Sequence, residues 1–304
     1  CLEYSDPGKI LRIPFPLWGA TKPERFDITD DGSFDYFGRE KFAEVLVEIE
    51  KLNFEFGFRA LYVYGTIGYG KSHILAAMTC LLLRQGKRVV YLPDCRAMLT
   101  HFLNYIKSGL LLAFGDSESH QLKIQKCISE DEISLFCDEI TVKDHIRLYF
   151  IVDQMNALDD EYSNKDCVSN IRKDKIRTDL DKITSLHYVI ESASANFKSA
   201  MHMQQKQLGK LKLPLIGGLT ETEMPKWWDL HEKLLPKLND DDKKKVEDIT
   251  GRIPLLLGAL LMFHGKDFKS VESDFLLNLD YVNVQVENFA DIKKNALNPL
   301  EWNS

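Results

Sequence analysis

The sequence predicts an α/β fold, a doubly wound parallel sheet with a C-terminal helical lid. Two observations predict it. Short, fully apolar runs alternate with helix-patterned stretches, as buried parallel strands joined by crossover helices require. One of those runs also passes through a glycine-rich turn directly into a helix, at Gly65-Thr66-Ile67-Gly68-Tyr69-Gly70-Lys71-Ser72.

The elements follow in order. Residues 1–36 are rich in Pro, Gly and Asp and read as an extended arm packed by Phe15, Leu17, Trp18 and Phe26. Phe42, Val45, Leu46, Ile49, Leu52 and Phe56 recur at helical spacing and predict a helix from 42 to 56. ALYVY (60–64) is a buried strand, and the helix from Lys71 to Gln85 closes at Gly86, where a C-cap glycine belongs. RVVYL (88–92) is the next strand, 96–114 a helix, and a mixed segment then leads to the strand LYFIV (148–152). A charged helix over 161–185 precedes LHYVI (186–190), and KLPLIGGL (212–219) is the fifth strand candidate. After Thr220 the strands stop: TETEMPKWWDLHEKLL and KKKVEDI read as helices, and GRIPLLLGALL as a turn into another. The expected division is an arm (1–36), a core (37–219), a lid (220–265) and an extension of unknown role (266–304).

Composition sets outer bounds. With 304 residues, 44% hydrophobic and 28% charged, the chain is neither disordered nor collagen-like. A net charge of -7 argues against a surface that is a nucleic-acid or anionic-membrane footprint throughout, while leaving room for a local basic patch. Cys1, Cys80, Cys95, Cys127, Cys137 and Cys167 contain no C-x-x-C pair, and several sit in apolar runs. They read as buried free thiols of a reducing compartment, not as a disulfide framework or a zinc site. No apolar stretch approaches the about 18 residues of a membrane helix, and no signal peptide is visible. The chain starts at Cys1 without a methionine, which suggests a piece of something longer.

Gly65 to Ser72 satisfies G-x-x-x-x-G-K-[ST] at every position. Glycines let the backbone wrap tightly enough for successive N–H groups to face phosphate oxygens. The helix that starts at Lys71 offers its positive end to the same anion. In this layout Lys71 reaches the β- and γ-phosphates and the Ser72 hydroxyl holds Mg²⁺; His73 completes the first turn. A second metal anchor belongs at the end of a neighbouring strand, and Tyr149-Phe150-Ile151-Val152-Asp153 supplies a carboxylate there, although an Asp capping the next helix reads the same way. The intervening RVVYL strand suggests that a further strand is inserted between the Lys71 and Asp153 strands, as in AAA+ and STAND ATPases.

Several further residues are candidates. Position 154 is Gln, where many ATPases of that branch have Glu; a glutamine orients a water but cannot take its proton. Asp138, Glu139 and Glu191 are the alternative bases. Ser192, Ser194 and Asn196 end a strand, as a γ-phosphate sensor or as an ordinary strand-to-loop transition. Phe37-Gly38-Arg39-Glu40 resembles the adenine-cupping F-x-G-R-E element of AAA+ and STAND proteins, with a plain start to a helix as the alternative. Gly251-Arg252-Ile253-Pro254 resembles the G-x-P element of STAND lids, with Pro254 toward the nucleotide and Arg252 as a cis phosphate sensor. Arg39, Arg147, Arg177 and Arg252 are the candidate arginine fingers. GTP is disfavoured: Asn164-Lys165-Asp166-Cys167 misses the guanine motif N-K-x-D by one place. Between Ser192 and Thr220 there is no Asp or Glu, while Lys198, Lys206, Lys210, Lys212 and His202 lie there, which suits a DNA backbone or simply a solvated loop.

LYVYGTIGYGKSHILAAMTCLLLRQGKRVVYLPDCR, YFIVDQMNAL and ITGRIPLLL together resemble the NTPase module of Crinkler-type effectors, relatives of the retrotransposon hot spot proteins. The likeness runs from Phe37 to Phe263 and is densest from Leu61 to Arg96. It implies ATP and Mg²⁺ as ligands, secretion by a fungus or oomycete into a host cell, and action in the host nucleus. In that family a nuclease domain commonly follows; here only the triplets Asp242-x-Lys244 and Asp267-x-Lys269 are reminiscent of one. The readings to separate are a Mg²⁺-dependent ATPase, a nucleotide-gated switch with little turnover, a DNA-binding module and, last, a small-molecule kinase. Self-association is a further expectation.

Overall fold

A computed structural model of the chain describes residues 2–18, 23–159, 167–194 and 209–279. The chain divides into two compact units, Cys1–Gly65 with Lys71–Leu215, and Thr66–Gly70 with Ile216–Ser304.

The first unit holds a five-stranded parallel sheet. Its strands are β3 (Ala60–Gly65), β4 (Val89–Leu92), β5 (Tyr149–Val152), β6 (Tyr188–Ser194) and β7 (Lys210–Leu215), in the spatial order β4-β5-β6-β3-β7. The two short strands β4 and β5 are almost wholly apolar, and their residues split between two faces by the period of two. Val90, Leu92, Phe150 and Val152 join the core formed with α3 (Cys95–Ala113), α5 (Glu130–Lys143) and α6 (Cys167–Ile183). Tyr91 turns the other way and meets the Phe15 ring at 6.1 Å. On that side lie α2 (Lys71–Arg84) and the hairpin β1 (Ile10–Pro14)–β2 (Ser33–Phe37), while α1 (Lys41–Glu50) packs on β7. The sheet is therefore covered on both faces, as the sequence predicts. The inserted strand is present too, but it is β6, not RVVYL: β4 lies at the edge, and β6 separates β3 from β5.

Four expectations change. The arm is not merely extended: Ile10–Pro14 pairs antiparallel with Ser33–Phe37, and Phe15, Phe26 and Phe34 form an aromatic cluster with ring centroids 4.7 to 5.7 Å apart. Trp18, expected to pack it, is 51% exposed. Helix α1 stops at Glu50 because Asn53 bridges Phe58, and its side chain accepts from the Glu55 N–H at 2.8 Å, closing a turn in place of another helical turn. Phe56 is consequently exposed. The mixed segment before β5 contains α4 (Glu118–Lys126) and α5; Ser129 accepts from the Glu132 N–H and the Glu132 carboxylate accepts from the Ile128 N–H, which fixes the start of α5.

In the second unit α7 (Glu223–His231), α8 (Asp240–Thr250) and the helical turn Pro254–Gly258 follow one another, as expected, and residues 268–279, in the extension of unknown role, are helical as well. Asp242 closes a capping box with Asn239 on α8, so the first nuclease-like triplet lies on a helix start and not after a strand. No helix of the described residues is long and apolar enough to cross a membrane.

Candidate functional site

In the first unit the candidate residues lie at the carboxyl ends of β3, β5 and β6, the end of the strands at which open parallel sheets bind ligands. Gly65 ends β3 with φ +144°, and a Cβ there would stand 1.9 Å from the Leu215 carbonyl oxygen, so only glycine fits. Six residues on, Lys71 opens α2. Its Nζ donates to the Gly65 carbonyl at 3.0 Å, and burial lowers its ordinary 10.5 to about 8, with Asp153 opposing the fall. Ser72 is half-buried beside it. The next residue, His73, instead faces the arm: its ring lies 4.8 Å from Phe26, and burial, helped by Arg25, pushes it down to about 4, so it is neutral at pH 7.

Asp153 follows β5 and is 1% exposed. The geometry around it is dense. Oδ1 accepts from the Ser192 hydroxyl of β6 and, at 2.9 Å, from the Gln154 N–H; Oδ2 accepts from Arg25 Nη2 at 3.2 Å. Gln154 takes a left-handed backbone (φ 61°). With its amide oriented so that both neighbours are satisfied, the oxygen accepts from Arg25 Nη1 and the nitrogen donates to Asp94 Oδ1, each at 3.1 Å. Asp94 caps α3 by accepting from the Arg96 N–H, pairs with Arg96 at 2.8 Å, and lies 3.5 Å from Arg25 Nη1. Position 154 therefore bridges an arginine and a second carboxylate.

The sequence alone does not single out Arg25 or Asp94. No spacing rule joins an arm arginine to a strand end 128 residues later, but Asp94 carries a visible signal: a carboxylate between the end of a strand and the start of a helix is a cap. Ser192 is brought to Asp153; Asn196, Lys198, His202 and Lys206 lie outside the described residues, as does the Ser194 side chain. Glu191 alternates to the other face of β6 and pairs with Lys210 at 2.5 Å, which occupies that lysine; Lys212 is exposed. Asp138 and Glu139 sit on α5, the latter paired with Lys143. Arg147 precedes β5, at the opposite end of the strand from Asp153, stacked 3.9 Å over Phe54, and Arg177 pairs with Asp159. Phe37 ends β2, and a Cβ on Gly38 would stand 2.0 Å from the Asp6 carbonyl oxygen, so this glycine makes room for the arm's own backbone; Arg39 is buried, its N–H donating to the Tyr4 carbonyl.

In the second unit the loop Thr66–Gly70 has Gly68 and Gly70 at φ +79° and +99°, with Tyr69 buried and Ile67 half-exposed. The Thr66 hydroxyl accepts from the Gly217 N–H at 3.0 Å. The Gly68 carbonyl accepts from the Leu255 N–H at 3.2 Å, and a Cβ on Gly68 would stand 2.6 Å from Leu255 Cβ. The Gly251–Pro254 element thus leads directly into residues that touch the loop backbone. Pro254 starts its helical turn, and Arg252, at φ 59°, pairs with Glu247 at 2.9 Å.

Among the described residues no cluster of three His, Cys, Asp or Glu side chains could hold a metal. The donors at hand are hard oxygens, one hydroxyl and one carboxylate, which suits a Mg²⁺ whose remaining ligands are phosphate oxygens and water, and suits zinc poorly.

No protein-family model matches the chain, and no curated protein matches it in sequence. Solved structures do resemble it. One is the AMPPCP-bound DnaA of Aquifex aeolicus, at 14% identity and a TM-score of 0.43 over 80% of this chain and 66% of that one. Another is the ORC2 protein of Aeropyrum pernix in its ADP form, at 14% identity and a TM-score of 0.46 over 78% and 67%. A DNA replication initiation factor follows at 13% and 0.35, over 84% of this chain and 64% of the other. The chain spans about two thirds of the length of these structures.

Proposed function

We propose that the chain is a Mg²⁺-dependent ATP-binding and ATP-hydrolysing P-loop module. The observation that carries this is Lys71, a cation held in a desolvated position at the mouth of a glycine-only strand end, where its burial is costly until an anion arrives. The loop Gly65–Gly70 and the first N–H groups of α2 would bind the phosphates; Lys71 would balance their charge; Ser72 and Asp153 would hold the metal. Mg²⁺ would draw charge from the β- and γ-phosphate oxygens as the bond to the leaving group breaks. Ser192 fixes the Asp153 carboxylate, and Pro254 and Arg252 belong to an element that leads into the contact with the Gly68 carbonyl. Steady-state ATP hydrolysis by the natural chain, by Lys71→Ala and by Asp153→Ala tests the reading; equal turnover in all three would sink it.

A second reading is a nucleotide-gated switch with little turnover. Gln154 favours it, because its amide is committed to Arg25 and Asp94 and carries no base. Tight ATP binding without hydrolysis would select it. The finer identification as a Crinkler-type effector rests on the sequence resemblance, and so do secretion and the host nucleus; a tagged chain that stays outside the nucleus of a host cell would contradict it. Contact with DNA through Lys198, Lys206, Lys210 and Lys212 is a separate reading, drawn from the lysine run that lacks acidic residues, with affinity expected to fall between about 50 and 200 mM salt. Self-association is a further reading.

A further inference from the structure

We propose that Arg25 is the resident counter-ion of Asp153, an autoinhibitory contact by which the N-terminal arm holds the metal-binding carboxylate until Mg²⁺ and nucleotide displace it. The inference rests on the reading of Asp153 as a metal anchor and names how that anchor is controlled.

Three observations carry it. First, the hydrogen-bonding capacity of Asp153 is largely committed: Ser192 and the Gln154 N–H take one oxygen, and Arg25 takes the other at 3.2 Å. A carboxylate so engaged keeps for a metal-bound water one acceptor site, on the oxygen that the guanidinium already contacts. Secondly, Arg25 is built into its place. Nη2 also donates to the Pro93 carbonyl, Nη1 faces Asp94 and the Gln154 amide, and Cζ stands 5.1 Å over the Phe26 ring. Its Nε, however, is buried without an acceptor among the described residues, so the docked position is incompletely satisfied. An unmet donor lowers the cost of leaving. Thirdly, consecutive residues of one short helical turn, Glu24–Phe26, touch Asp153 and the neighbour of Ser72. Arg25 is on Asp153, and Phe26 lies against His73, the residue after Ser72. A change at Asp153 or in the first turn of α2 would therefore bear on the same short turn of the arm.

The arrangement makes a guanidinium and a divalent cation compete for one carboxylate, and like charges at this spacing exclude one another. The test is the metal dependence of ADP affinity, the ratio of the dissociation constant in EDTA to that in Mg²⁺, for the natural chain and for Arg25→Gln. The ratio is expected to rise about tenfold or more in the variant. A ratio that is unchanged or smaller overturns the proposal; if ADP in EDTA also binds more weakly to the variant, Arg25 is a phosphate ligand and not a plug. A natural chain that binds ADP under neither condition overturns the nucleotide reading itself, and the inference with it. Should Arg25→Gln not fold, amide hydrogen exchange of residues 24–27 in the natural chain decides: faster exchange with Mg²⁺–ADP than with ADP in EDTA supports release of the arm, and equal or slower exchange overturns it.

Discussion

Replacing Lys71 by methionine should make the nucleotide-free protein more stable while abolishing its response to ATP. Burial brings the ammonium from its ordinary 10.5 to about 8, which at 1.4 kcal/mol per tenfold is an electrostatic cost of about 3 kcal/mol at neutral pH. Methionine keeps the length and the burial of the stem without the charge. It forfeits the 3.0 Å hydrogen bond to the Gly65 carbonyl, a loss of about 1–2 kcal/mol. The difference leaves Lys71→Met about 1–2 kcal/mol more stable at pH 7, a rise in midpoint of roughly 2–8 °C. The pH dependence sharpens the argument. The unfolded chain holds the Lys71 proton up to about 10.5 and the folded chain only to about 8, so between those values the unfolded state binds more protons and stability climbs with pH. Below pH 8 the full cost is present. Thermal unfolding of both proteins at pH 7, 8, 9 and 10, with and without Mg²⁺–ATP, reads all of this. A variant less stable than the natural chain at pH 7, with the same slope from 8 to 10, would show that Lys71 is not held at a cost and would remove the chief support for an anion site.

Four further outcomes are expected. Gly65→Ala should cost several kcal/mol or fail to fold, since its Cβ would stand 1.9 Å from the Leu215 carbonyl oxygen; near-native urea unfolding would contradict the close approach. Gly68→Ala, at φ +79° and 2.6 Å from Leu255 Cβ, should lower ATP affinity more than it lowers the unfolding midpoint, measured by titration and by melting. His73 and His187 are both held near 4 by burial, aided by Arg25 and Arg147 respectively; the unfolded chain therefore binds more protons between pH 6.5 and 4, stability falls as pH drops through that window, and His73→Phe should shallow the fall in a pH series of melts. Gln154→Glu should destabilise the nucleotide-free protein by about 1–3 kcal/mol, because a carboxylate oxygen would replace the amide that donates to Asp94 at 3.1 Å; an unchanged midpoint would mean that the bridge does not form.

The sheet is legible in the sequence because parallel strands buried on both faces leave uninterrupted apolar runs, and the glycine loop because its geometry admits few other residues. Strand order is less so: RVVYL follows the loop helix in sequence, and nothing in its residues says that it crosses to the edge while YVIESAS takes the place beside β3. The arm hairpin hides for a related reason. Its strands are separated by 18 residues, and the alternation of Ile13 and of Phe34 and Tyr36 into the core spans only five residues on each side. In the site, Lys71 and Asp153 follow from motif and strand end, whereas Arg25 acts through a contact 128 residues distant, which only the packing of Phe26 against Phe15, Phe34 and His73 creates.

That contact changes what the glutamine at 154 means. Asp94 and Asp153 stand on neighbouring strand ends, and Arg25 reaches both. Arg96 balances Asp94 from the solvent side and Lys71 offsets Asp153 from the start of α2. Into this set a glutamate would add a third carboxylate to two that already share a guanidinium, and the low dielectric of a site whose Asp153 is 1% exposed makes such crowding costly. Glutamine serves both neighbours at once, as acceptor for Arg25 and donor to Asp94, and adds no charge. The residue that looks like a lost catalytic base is therefore the residue the arm requires. A glutamate introduced at position 154 would need a partner for its charge, and Arg25 already lies against that side chain; the guanidinium would be drawn from Asp153 toward position 154. Arm docking and a basic group at 154 are in this geometry alternatives, so under the reading proposed above a chain that keeps Arg25 on Asp153 would hold its metal site closed first and hydrolyse second.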